Sequence, residues 1–208
     1  YEVDFRLKNE ELDWEHALLA AHNLTFNAIA NDGLVIAGQP ISLSFSVVNR
    51  GEQDVTISDV VIAGFEGAAP CTAATLQTNG VFSCTSAATV PKNAKITDPY
   101  FTDNYWKDPT NPARYEFDPS VPFGVPFAPT PFRATFKVKV DGLEITRGQP
   151  VQFRYVKDVY FGDKRMELNV VPPFSVKVTP ALAVVPAAAS AKRVTREIFV
   201  AVTNSTKG

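Results

Sequence analysis

The stretch "ISLSFSVVN", residues 41–49, sets Ile41, Leu43, Phe45 and Val47 at every second position with small polar residues between. A period of two is that of a half-buried β-strand, and no helix can turn such a row onto one core. The pattern returns in "FRATFKVKV", residues 132–140. Asp141-Gly142 then reads as a tight turn and "LEIT" as the returning strand of a hairpin. "VTISDVVIAGF" between these runs, and "VQFRYV", "RMELNVV" and "FSVKV" after them, supply further β-branched segments bounded by Gly, Pro and Asn. Many short strands at close spacing predict an all-β protein of immunoglobulin-like antiparallel sandwiches.

One segment departs from this texture. "LKNEELDWEHALLAAHNLTFNAIANDG" reads as a short helical lead, with Trp14, Ala17, Leu18 and Ala21 on one face and Glu10, Glu11 and Asp13 in the early turns. Asn23 is its expected stop, and Thr25 is placed to cap a second short helix over Phe26 to Ala30. Another composition break lies between Pro99 and Phe132, where eight of the 16 prolines and nine aromatics fall within 34 residues. Proline cannot donate to a ladder, so this segment is expected to be a long ordered connection held by side chains. Phe117, Phe123 and Phe127 are its expected inward anchors.

"GLVIAGQPISLSF" and "GLEITRGQPVQFRY" echo one another about 110 residues apart, which suggests tandem modules. The organisation expected is a helical lead at 1–32, a first sandwich at 33–95 and a second at 96–180. Residues 181–208, where "VTREIFVAVTNSTKG" resembles "ISLSFSVVNRG", read as the opening of a third β-module.

Charge and cysteines narrow the partners. The 208 residues carry 20 basic and 22 acidic side chains, well mixed, which lacks the basic footprint of a nucleic-acid binder. No apolar run approaches the roughly 20 residues of a membrane span. The opening "YEVDFRLKN" lacks the apolar core of a signal peptide, as a mature or excised chain would. Cys71 and Cys84 flank Asn79-Gly80, a turn signal that can bring the sulfurs together. They are expected to form a disulfide, which points to an extracellular or periplasmic protein; the other reading is two buried thiols.

Catalytic chemistry is scarce. The two histidines, His16 and His22, stand six residues apart on different helix faces with no further ligand nearby, so neither a metal centre nor a Ser-His-Asp triad is expected. The glycines are scattered singly and make no phosphate loop. Asp98, Asp103, Asp108 and Asp118 fit no calcium loop, and three of them precede proline as turn residues do. No catalytic residue, metal or cofactor is expected. Tyr100, Phe101, Tyr105, Trp106, Tyr115 and Phe117 remain, and two roles suit them: pinning the proline-rich segment to the core, or stacking on sugar rings. The carbohydrate-binding candidates are Tyr100, Tyr105, Trp106 and Tyr115.

A set of marks then falls in one order: Pro99 followed by Tyr105-Trp106, "GVPFAPTPFRATF", the hairpin on "GLEITRGQPVQFRYV", and the close "LNVVPPFSVKVTP". With the helix and "LVIAGQPISLSFSVVNRG" ahead of them, they resemble the region downstream of the catalytic domain in large bacterial deacetylases. The family is that of the GlcNAc-phosphatidylinositol de-N-acetylases (PIG-L, or LmbE-like). Its zinc site includes an Ala-His-Pro-Asp-Asp motif that this sequence lacks, so no catalytic residue carries over. The resemblance implies a non-catalytic accessory β-sandwich of an exported enzyme. Its partner would be the catalytic domain of the same polypeptide, which it positions or oligomerises. A glycan is the partner on the alternative, carbohydrate-binding reading.

Overall fold

A computed structural model describes residues 2–99, 110, 121–122, 124–182 and 195–205. Helix α1 (Glu2–Ala21) leads into strands β1 (Leu24–Ala30), β2 (Leu34–Val35), β3 (Pro40–Asn49), β4 (Val55–Ala63), β5 (Ala74–Leu76) and β6 (Val81–Thr89). After the proline-rich segment come β7 (Arg133–Val140), β8 (Leu143–Pro150), β9 (Gln152–Asp158), β10 (Gly162–Glu167) and β11 (Asn169–Val170). Strands β12 (Phe174–Thr179) and β13 (Phe199–Asn204) follow. The protein is predominantly β, as the alternation requires.

Two sheets face each other. One has the order β10-β9-β1-β3-β6 and the other β5-β4-β7-β8. The alternating residues point where their period predicts. Leu43, Phe45 and Val47 from the first sheet meet Val55, Ile57, Ala134, Phe136 and Val138 from the second, all fully buried in one core. Phe136 lies at its centre, with ring centroids 5.3 Å from Phe26 and 6.3 Å from Phe45. This is a β-sandwich in which each strand turns its apolar row inward and its polar row outward.

The boundary expected between residues 95 and 96 runs through the middle of this sandwich. Strand β4 pairs with β7 from Val55↔Val140 to Ala63↔Arg133, and β1 pairs in parallel with β9. Segments from both expected modules thus share both sheets and one core, because the strand that covers each apolar face comes from the other half of the sequence. The Gly-Gln-Pro echo does not mark equivalent places either. Gly38, at φ +81°, turns the chain into β3, whereas Gly148-Gln149-Pro150 closes β8. There the chain passes directly from one sheet to the other, with the Val151 amide donating to the Phe132 carbonyl.

Other expectations are corrected locally. Phe26 to Ala30 is not a helix but most of β1, paired with β3 from Leu24↔Asn49 to Ala30↔Leu43. Leu24, Phe26, Ala28 and Ala30 share the inward face, and seven ladder pairs outweigh the helical leaning of a short Ala- and Asn-containing run. In α1 the expected Trp14 face is not the packed one. Trp14 is 53% exposed, and Leu19, near the helix end, is the residue that seats against the body. Asn23, at φ +50°, ends the helical lead as expected.

Strand β12 is not the last strand of a second sandwich. Its ladder is with β13, as a separate two-stranded sheet whose residues are all exposed. No described helix is long and apolar enough to cross a membrane.

Candidate functional site

Where the proline-rich segment leaves and rejoins the sandwich, a cleft of about 640 Å³ opens. Its walls are the stretch after β6, the approach to β7 and the β10–β11 corner. Local chemistry fixes all three. The Thr97 amide donates to the Val170 carbonyl, and the Val170 amide donates to Thr97 Oγ1 at 2.9 Å, clamping the outgoing chain to β11. Pro99 bridges to Phe127, which brings the returning chain alongside the outgoing one. Thr130 Oγ1 accepts from the Phe132 amide, a side-chain turn that aims Phe132 into the core. Phe132 stacks on Phe65 at 4.7 Å. Gly64 lies against the Pro131 carbonyl so closely that a Cβ there would collide with it.

The cleft is chemically mixed. Lys95, Asp98 and Glu167 supply charge, Asn93, Thr97 and Asn169 supply neutral hydrogen-bonding groups, and Phe127 and the prolines supply apolar surface. Phe127 was expected to point inward, but its ring is 46% exposed at this opening. The reason is its bridge to Pro99, which holds it at the rim rather than over the core. An open ring beside amides, hydroxyls and carboxylates suits a polar ligand with one apolar face, such as a sugar. Sequence reasoning missed the site because its residues come from three distant stretches. The only legible signal was the proline density that marks residues 99–132 as irregular.

The sequence-derived candidates distribute unevenly. Tyr100, Tyr105, Trp106 and Tyr115 lie outside the described residues, as do Phe101, Phe117 and Phe123. Asp98 lines the cleft, while Asp103, Asp108 and Asp118 lie outside the described residues. His22 Nε2 stands 3.5 Å from Asp141 Oδ2, at the end of β7 remote from the cleft, and His16 is exposed on α1. Among the described residues, no three His, Cys, Asp or Glu side chains converge as a metal site would need.

The cysteines do come together. Cys71 and Cys84 form a disulfide with a Cα–Cα distance of 5.9 Å, tying the loop before β5 to β6. Two more contacts pin that loop to the same strand: Ser86 Oγ donates to the Ala69 carbonyl, and Glu66 and Thr89 exchange backbone bonds of 2.8 Å. Asn79, at φ +63°, and the Gly80 amide donating to the Gln77 carbonyl make the turn between β5 and β6.

A second surface stands out at the tip of the β9–β10 hairpin. Val159, Tyr160 and Phe161 are 98%, 91% and 68% exposed, three consecutive bulky residues in water. Lys164 lies over the Phe161 ring at 5.8 Å from its centroid. Compared with known protein families, curated proteins and solved structures, the chain matches none of them.

Proposed function

We propose that this chain is a non-catalytic accessory β-sandwich of an exported N-deacetylase of the PIG-L-like kind, and that it positions or oligomerises the catalytic domain. The observation that carries this reading is the Val159-Tyr160-Phe161 tip. Most of the surface of this run faces water, and exposed apolar clusters of this kind mark contact surfaces. The disulfide fits an oxidising compartment. The strand orders β1-β3-β6 and β5-β4-β7-β8 support an immunoglobulin-like type of sandwich, with β9 and β10 added beside β1.

The test mixes the catalytic domain with this chain in trans. Val159→Asp with Phe161→Asp should leave the melting temperature of the chain within about 4 °C, since two exposed substitutions together change stability by about 1 kcal/mol or less. It should weaken association with the catalytic domain at least tenfold. Unchanged association would refute the reading, as would deacetylation of N-acetylglucosamine derivatives by this chain alone.

The mixed cleft favours a second reading, carbohydrate binding. On it, Phe127 offers the stacking face and Asp98, Asn169 and Glu167 the hydroxyl partners. Titration with N-acetylated oligosaccharides decides it. Saturable binding lost in Phe127→Ala supports a glycan site, and flat titrations in both proteins eliminate this cleft as one.

A further inference from the structure

The two sheets of the sandwich end in four edge strands, β10, β6, β5 and β8. An edge strand offers a row of unpaired N–H and C=O groups to any other strand, and proteins usually blunt it. Three of the four are blunted. Strand β6 carries the loop before β5 on its free side, tied down by Cys71–Cys84, the Ser86 bond to Ala69 and the Glu66–Thr89 bridge. Strand β10 is broken by a bulge between Lys164 and Arg165, with the lysine at the break. Strand β5 has only three residues. Strand β8 has none of these devices. Its eight residues run in unbroken register with β7, from Val140↔Leu143 to Arg133↔Pro150, with no bulge and no lysine. Among the described residues, none pairs with its other side.

The turn decides which groups are open. Asp141 and Gly142 have φ of +50° and +82°, the two left-handed residues of a type I′ hairpin turn. A two-residue turn of this kind makes Val140↔Leu143 a hydrogen-bonded pair, and the bonds recur at every second residue. Leu143, Ile145, Arg147 and Gln149 therefore bond to β7. The N–H and C=O groups of Glu144, Thr146 and Gly148 point away from it, and all three residues are exposed. Gly148 is a second, independent sign. Its φ lies outside the left-handed region, and a Cβ there would meet only Arg133 Nη2 at 3.7 Å and Thr135 Oγ1 at 3.8 Å, ordinary contact distances. Neither its backbone nor its surroundings require glycine, which weakens a strand interior and suits close approach by another backbone.

We propose that β8 pairs antiparallel with β8 of a second copy of this chain. Two four-stranded sheets then join into one about a two-fold axis at Thr146. Self-complementarity favours a second copy over an unrelated strand. With Thr146 opposite Thr146 of the other copy, Glu144 falls opposite Gly148, and all three open residues of each strand are paired at once. The threonines make a favourable cross-strand pair, and the glycine leaves room for the Glu144 side chain. On the other face Arg147 comes opposite Ile145, so no like charges stand directly across from each other. A shift of two residues either way leaves Gly148 or Glu144 incompletely paired. The joined edge buries less than the ~800 Å² per partner of a standard stable interface, so the association is reversible. The pairing needs neither the accessory nor the glycan reading, and its failure would leave both in place.

Sedimentation and hydrogen exchange on the 208-residue chain test it. The mass should rise from that of one chain towards that of two between about 10 µM and about 1 mM, the range suited to a small interface. Over that range the Glu144, Thr146 and Gly148 amides should slow about threefold or more, while Ile145 and Arg147, already bonded to β7, are protected at every concentration. Thr146→Pro removes one open N–H without touching a bond to β7, and Thr146→Lys sets like charges face to face. Each should weaken self-association at least tenfold while the β3 amides, residues 40–49, keep their protection. If Thr146→Pro unfolds the chain, Thr146→Lys decides alone. A single-chain mass throughout the range overturns the proposal, as does self-association unchanged in Thr146→Lys. Slowing of the three amides only when a different protein is added assigns the edge to that protein, and overturns it too.

Discussion

Asn49 has no exposed surface, and its amide reaches three carbonyls across two loops while its Oδ1 accepts from the Gly51 amide. Replacing it by alanine strands buried carbonyls, each worth about 1–3 kcal/mol when left unpaired. Asn49→Ala is therefore expected to lower stability by about 3 kcal/mol by urea unfolding. Asn49→Asp should do no better, since it keeps the acceptor and loses the donors. Two glycines separate backbone strain from crowding in the same way. Gly142, at φ +82°, has open space where a Cβ would sit, so Gly142→Ala should cost only the left-handed penalty of about 1–2 kcal/mol. Gly64, at φ +84°, meets the Pro131 backbone as well, and Gly64→Ala should exceed Gly142→Ala in the same assay. Phenylalanines divide similarly by position. Phe136→Ala, at the centre of three packed rings, should cost about 3–5 kcal/mol, while Phe127→Ala at the cleft rim should shift the urea midpoint far less.

At the scale of elements, the loop before β5 is strapped to β6 three times, by Cys71–Cys84, Ser86 and the Glu66–Thr89 bridge. The disulfide closes a loop whose ends are 13 residues apart, which is worth about 3 kcal/mol in the chain-entropy picture. Cys71→Ser with Cys84→Ser is expected to lower stability by about that amount. Limited proteolysis should then cut first between Gly67 and Thr72, leaving β6 paired with β3 over Pro40↔Thr89 to Val48↔Val81. This strap was legible in the sequence because both cysteines flank a local turn. The strands β3 and β7 were legible for a similar reason, since period two is written within nine residues. What was not legible is non-local. Nothing inside "TFNAIA" says that it lies along β3, and its alanines and Thr25 speak for a capped helix until the ladder is formed. Nor does the sequence between Val55 and Ala63 announce a partner at Arg133–Val140. Gly-Gln-Pro misled for the opposite reason: the same three letters open a strand at Pro40 and close one at Pro150. The cleft joins residues from near 95, 130 and 168, so its composition could not be read from any one segment.

For the whole molecule, the sheet connections decide where the chain can be cut. A division after Lys95 would leave β4 without β7 and β1 without β9, and would split the Phe26–Phe45–Phe136 cluster between two pieces. Each piece keeps only two or three strands of each sheet, β1-β3-β6 with β5-β4 in one and β9-β10 with β7-β8 in the other, so each loses about half of the apolar area that the shared core buries. Fragments 1–95 and 96–208 are therefore each expected to give random-coil amide spectra and no cooperative unfolding. A division after Pro173 touches none of the sandwich ladders, since Val170 and Val171 are the last residues bonded to β2 and its neighbours. Fragment 1–173 should unfold in one urea transition, with a midpoint within experimental error of that of the 208-residue chain. Strands β12 and β13 should contribute nothing to that midpoint, because no residue of either belongs to the core. A folded 1–95 fragment would restore the tandem arrangement that the Gly-Gln-Pro echo suggested. A 1–173 fragment that loses several kcal/mol would mean that the small sheet braces the sandwich rather than standing apart from it.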